Sequence, residues 1–118
     1  MMPRENRREI LQRYHDMYYR IRKVACPAFS KEFVHFNRHG FNHLIRKGRK
    51  LRKFEDQIRR LRLLPKAVSI LMRVDQIISC KTIREGTRVI DFWEIESDNV
   101  HVIIRKVNNG SLHFFSIF

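Results

Sequence analysis

Apolar residues at Ile10, Leu11, Tyr14, Met17, Tyr18, Ile21 and Val24 recur three and four apart, with arginines on the other side. That spacing predicts an amphipathic helix over residues 6–24, stopped by Cys26-Pro27 because proline cannot continue the hydrogen-bond ladder. Residues 32–38 (EFVHFNR) alternate, which fits a short strand, and a helix beginning at Ser30 competes for the same stretch. Gly40 breaks the pattern, and residues 41–47 predict a short helix. After a basic stretch, helical spacing returns over 54–63 and, past Pro65, over 66–72. The period then shortens to two. Residues 74–82 predict a strand, 88–96 and 100–107 predict stronger ones joined by a turn at Ser97-Asp98-Asn99, and 112–117 predicts the last.

Helices come first and strands last. This order predicts an α+β fold, with N-terminal helices packed on one face of a C-terminal antiparallel sheet of about four strands. The other face would stay partly open and accessible to a substrate. At 118 residues the chain has the size of a single domain with one core.

The closing segment carries the most chemistry. Asn109-Gly110 between two β-rich runs signals a hairpin. A two-residue turn sets Arg105 opposite Phe114 and Ile103 opposite Ser116, so one face shows His101, Ile103, Arg105, Phe114, Ser116 and Phe118. The other then shows Val102, Ile104, His113, Phe115 and Ile117 and packs on the helices. A three-residue loop instead pairs Arg105 with His113 and turns Ser116 to the face of Val102 and Ile104. The first register separates polar from apolar better, and in both Arg105 has a polar neighbour, because a one-residue slip exchanges the faces.

Charge changes the picture further. The formal net charge is +13, and it is uneven: residues 1–66 hold 19 Lys/Arg against 6 Asp/Glu, whereas residues 67–118 hold 6 against 6. Arg46, Lys47, Arg49, Lys50, Arg52 and Lys53 put six cations into eight residues. Such a run attracts phosphates irrespective of sequence and points to nucleic acid, with an acidic protein as a further partner. It also fits a solvated face or a linker. Cys26 and Cys80 lack metal or redox spacing, the N-terminal segment lacks a leader's apolar stretch, and no run is long enough to span a bilayer. A cytoplasmic protein with reduced thiols and no membrane partner is expected.

His35, His39 and His43 are spaced by four. On an unbroken helix they would line one face and suit a metal, but Gly40 and the strand-like residues before it argue otherwise, and no metal or other cofactor is expected. An imidazole titrates near neutrality and can both accept and return a proton in RNA cleavage. His43 is the first candidate, with His39 as the alternative. No RNP motif, helix-turn-helix glycine pattern, Walker loop or GxSxG is present.

Three stretches resemble one family: residues 33–46 (FVHFNRHGFNHLIR), 61–71 (LRLLPKAVSIL) and 102–116 (VIIRKVNNGSLHFFS). They are similar to the strand-to-helix histidine segment, the helix before the sheet and the terminal hairpin of the Barnase–EndoU–colicin–RelE (BECR) superfamily of small metal-independent ribonucleases, most closely its phage and mobile-element members. The resemblance covers residues 28–118 and leaves 1–27 as a helical extension. It implies His43 or His39 as the helix histidine, Arg105 as the strand cation and Ser116 as the late hydroxyl, while His113 has no fixed counterpart. It also implies an endoribonuclease of toxin or effector type, acting on tRNA or mRNA through 2′-hydroxyl attack to leave a 2′,3′-cyclic phosphate, and held by an acidic inhibitor or antitoxin. Other readings are a non-catalytic nucleic-acid-binding or anti-defence protein, and a RelE- or ParE-like toxin acting on a protein complex.

Overall fold

The computed structural model describes residues 6–118; residues 1–5, part of the segment read for a leader, lie outside the described residues. Helix α1 (Arg7–Ile21) starts where Asn6 accepts from the Glu9 amide at 2.9 Å, satisfying one of the free N–H groups of the first turn. It ends earlier than its apolar stripe predicts. Arg22 takes a positive φ of 61° and turns the chain into a strand, β1 (Lys23–Cys26), so Val24 is a strand residue. A 3₁₀ turn at Pro27–Phe29 leads to β2 (Glu32–His35), which pairs antiparallel with β1. Helix α2 (Arg38–Ile45) contains Gly40 as its third residue and is capped by Asn37.

The basic stretch forms a minimal hairpin, β3 (Arg46–Lys47) and β4 (Lys50–Leu51), with Gly48 at φ 63° in its turn. Helices α3 (Phe54–Leu61) and α4 (Leu64–Arg73) follow, the second with Pro65 in its first turn, where a missing N–H costs nothing. Strands β5 (Ser79–Glu85), β6 (Arg88–Ser97), β7 (Val100–Val107) and β8 (His113–Ile117) complete the chain. Asp98 and Asn99, both at positive φ, make the β6–β7 turn. Lys66 and Arg73 of α4 reach the Asp98 carboxylate at 2.5 and 3.4 Å and tie that turn to the helix.

The architecture is α+β, and the main sheet is larger than predicted. It has six strands in the order β1-β2-β8-β7-β6-β5. The two extra strands join through one parallel pair, His35 with His113. Parallel pairing between distant segments leaves no local signature, since no turn sequence joins the partners. α1 is integral to the body: Tyr18 is fully buried, its hydroxyl donates to the Asn37 carbonyl at 2.6 Å, and its ring meets Phe36, Phe41 and Phe114. Cys26 is buried, Cys80 is exposed, and both are free thiols. Among the described residues no helix is long and apolar enough to cross a membrane.

The β7–β8 register resolves the two alternatives by using both. Near the turn Arg105 faces His113 and Ile104 faces Phe114; beyond it Ile103 faces Ser116 and Val102 faces Ile117. Phe115 is the extra residue of a β-bulge, which shifts the register by one. Phe114 therefore joins buried Val102 and Ile104, and His113 joins Arg105, which exchanges the faces expected for these two residues.

β2 stops after His35, and α2 continues in its place along β8. The helix lies so close that a Cβ on Gly40 would overlap the Phe114 carbonyl oxygen and the Tyr18 hydroxyl. Gly40 is thus the point of closest approach rather than a helix break. Gly40→Ala is expected to destabilise the fold by about 1–3 kcal/mol or more, because one obstructing atom is backbone. Urea unfolding checks this, and an unchanged midpoint would refute the close-packing account.

Candidate active site

The approach of α2 to β8 sets histidines from helix and sheet around Arg105 of β7. Two adjoining cavities result. One, of about 460 Å³, is lined by His35, His39, Arg88, Arg105 and His113 among others; the second, of about 290 Å³, by His39, His43, Arg46, Arg105 and Phe115. His39 and Arg105 line both and form the partition. His39 and His43 are one helical turn apart and share a side of α2, whereas His35 arrives from β2. The Phe115 ring, displaced by the bulge, packs 4.1 Å from the His43 ring and 5.2 Å from the Arg105 guanidinium.

Buried polar atoms normally find partners. Among the described residues, four buried side-chain atoms have no hydrogen-bond partner: His43 Nδ1, His113 Nε2, Arg105 Nε and Arg60 Nε. Three belong to groups lining the two cavities, and Arg60 stands near enough to His43 to act on its charge. Each unpaired group costs roughly 1–3 kcal/mol. Their concentration at one cleft marks a place where polarity is held ready for something other than folding.

No carboxylate is among the described residues lining these cavities, so no neighbouring acid offsets what burial does to the imidazoles. Burial, then the charges of Arg52, Arg60 and Arg105, lowers the His43 pKa to about 4. Burial, followed by Arg105, lowers that of His113 to about 4, against an opposing hydrogen bond with the Ser111 backbone. Both rings are neutral at pH 7. Since Nε2 of His113 is the unpartnered nitrogen, the Ser111 bond uses Nδ1, and Nε2 keeps a free lone pair.

Three arginines beside the site share one acid. Asp56 on α3 pairs with Arg59 at 2.5 Å, Arg52 at 3.4 Å and Arg60 at 3.7 Å. Arg59 first, and then Arg60 and Arg52, keep its carboxyl below the usual range. Arg52 also donates to the His43 carbonyl at 3.2 Å, anchoring the end of α2. Arg60 donates to the Ile117 carbonyl at 3.2 Å and so occupies the free edge of β8.

No family model, curated protein or solved structure matches the chain.

The structure brings together four of the five sequence candidates: His39, His43, Arg105 and His113. Ser116 stands apart, buried, with its hydroxyl accepting from Arg60 at 3.5 Å. Of the basic run, Arg46 lines a cavity, and Lys47, Arg49, Lys50 and Lys53 are exposed. Arg52 is turned inward and engaged. Among the described residues no three His, Cys, Asp or Glu side chains are grouped to hold a metal. Sequence patterning alone does not place His35, Arg60 or Arg88 at the cleft: a parallel strand pair, a helix face and a hairpin end deliver them, and none of these has a motif.

A histidine whose folded pKa lies below its unfolded value stabilises the fold above the unfolded pKa, and that contribution falls as protons bind the unfolded chain. Stability is therefore expected to drop from pH 6.5 toward pH 4, by up to about 1.4 kcal/mol per unit for each of the two rings. Urea unfolding across this range checks it, with His113→Gln expected to flatten the slope. A pH-independent midpoint would remove the case for buried neutral imidazoles.

Proposed function

We propose that the chain is a metal-independent endoribonuclease of the kind its sequence resembles. The observation that carries the reading is the carboxylate-free cleft in which unpaired imidazole and guanidinium nitrogens from α2, β7 and β8 surround the partition at Arg105. A phosphodiester is the complementary guest, an anion with several acceptor oxygens. Arg105 would hold the non-bridging oxygens, where charge grows as the pentacoordinate phosphorane forms.

Internal transfer needs a base and an acid at opposite ends of the forming and breaking bonds. In the proposed step neutral His43 takes the proton of the ribose 2′-hydroxyl, O2′ bonds to phosphorus, and the P–O5′ bond breaks. His113, in the other cavity across Arg105, returns a proton to the departing 5′-oxygen. The bound phosphate's negative charge favours the protonated ring that this second role requires. Exposed His39 borders both cavities and can pass protons to solvent. Arg46 and the exposed cations of the β3–β4 hairpin grip the flanking backbone. Ser116 supports Arg60 and the edge of β8 instead of contacting RNA. The products are a 2′,3′-cyclic phosphate and a 5′-hydroxyl.

The exposed Arg46, Lys47, Arg49 and Lys50 also favour a second reading, an RNA-binding protein without catalysis, whose basic surface an acidic partner covers. Incubation with tRNA and with mRNA in EDTA separates the two. Cleavage leaving cyclic ends is expected, with His43→Gln and His113→Gln each about 10²–10⁴-fold slower and Arg105→Gln about 10²–10³-fold slower. Intact RNA at stoichiometric protein, with salt-sensitive binding, decides for the second reading. Because one ring must be protonated and both free rings titrate near pH 4, kcat/KM should rise as pH falls from 7.5 toward 5. A bell centred at neutrality would contradict this pairing of rings.

A further inference from the structure

The two edges of the six-stranded sheet differ. β1 has four residues, begins with Lys23 directly after Arg22, and stops at Pro27. β5 closes the other edge with seven residues, SCKTIRE, which pair with β6 without a bulge and include neither Pro nor Gly. Six of the seven are exposed, and Ile77 and Ile78 stand exposed just before them. An edge strand this long and regular is a template for another strand.

The β5–β6 turn decides which backbone groups are free. Glu85 pairs with Arg88 around Gly86-Thr87, with Gly86 at φ 60°, as in a two-residue hairpin whose closing pair is hydrogen-bonded. Alternation then directs the N–H and C=O of Ser79, Lys81, Ile83 and Glu85 to β6, and those of Cys80, Thr82 and Arg84 outward. Side chains alternate as well, so Lys81, Ile83 and Glu85 share the face of Phe92 and Arg105. A cation, an apolar residue and an anion, each two apart, make a self-complementary row. Paired antiparallel about Ile83, the row sets each Lys81 against a Glu85, and sliding the copies by two residues either way breaks both pairs.

We propose that β5 is a self-association edge, where two copies of the chain pair antiparallel about a two-fold axis at Ile83 and join their sheets into one. Thr82 of each copy exchanges both backbone hydrogen bonds with the partner's Arg84. Lys81 meets the partner's Glu85, and the two Ile83 side chains touch at the axis. Charge favours this edge over β1. Residues 67–118, which include β5, hold 6 Lys/Arg and 6 Asp/Glu, whereas residues 1–66 hold 19 against 6. The copies thus meet through their neutral halves and keep the basic halves apart. Pairing on matching faces leaves both Arg105 clefts on one side of the joined sheet. The inference stands whether or not those clefts cut RNA.

The test is sedimentation velocity of the full chain from micromolar to near-millimolar concentration, with reductant present so that the exposed Cys80 thiol cannot link copies. The wild type is expected to reach twice the chain mass. Lys81→Glu and Glu85→Lys should each weaken association about 10-fold or more, because each sets like charges opposite one another at two symmetric places. The double variant, and an equimolar mixture of the two single variants, should restore it. In the wild type alone, the Thr82 and Arg84 amides should exchange more slowly as concentration rises, a readout that needs no variant. A monomer at every concentration, or single variants that associate as tightly as the wild type, overturns the edge pairing. So does a mixture of the single variants that stays monomeric, a dimer that needs oxidised Cys80, or Thr82 and Arg84 amides whose exchange ignores concentration.

Discussion

Everything at the cleft depends on how closely the backbone of α2 lies against β8. Gly40 faces the Phe114 carbonyl and the Tyr18 hydroxyl with no room for a side chain, and its neighbours His39 and His43 are thereby delivered to Arg105 and His113. Tyr18 adds to the constraint from the other side, since its hydroxyl bonds the Asn37 carbonyl at the start of the same helix. A helix set further out would bury the same apolar residues less well and leave the imidazoles in solvent. Packing and site geometry are here one requirement.

The second constraint is electrostatic. Basic side chains predominate in the N-terminal half, and those that enter the interior need anchoring. Asp56 provides it for Arg52 and Arg60, and these in turn hold the end of α2 and the edge of β8. Arg105 has no such acid lining its cavities and rests among Phe92, Phe115 and two neutral histidines. Burial first, and the neighbouring guanidinium groups after it, keep both imidazoles uncharged. The anionic groups of the sheet, Glu94 and Glu96 with His101, lie past Phe92 on the same face. This face of the sheet therefore runs from a cationic to an anionic end.

Much of the element string was legible. The stripe from Ile10 to Ile21, the helix around Phe54, the turn at Asp98-Asn99 and the hairpin at Asn109-Gly110 each depend on residues near one another in the chain. The misses share a cause. β1 was absorbed into the first helix because Val24 continues the apolar spacing, and only pairing with Val34 makes it a strand residue. Gly40 read as a break because a missing side chain looks the same whether it ends a helix or admits a neighbour. Ser116 keeps the expected pairing with Ile103, but Arg60 of α3 covers its hydroxyl; the Phe115 bulge instead exchanges Phe114 and His113 beside Arg105.

The sequence by itself determined an α+β chain with a basic N-terminal half, and which side chains were chemically capable: His39, His43, Arg105 and His113. Local periodicity and charge count are properties of neighbours along the chain, so they survive without coordinates. Tertiary structure decided the rest. One parallel strand pair, one bulge and one glycine contact settled which capable groups meet, which are sequestered, as Arg52 and Ser116 are, and which unselected ones join them. Those choices rest on contacts between segments far apart in sequence, whose energies no local pattern records.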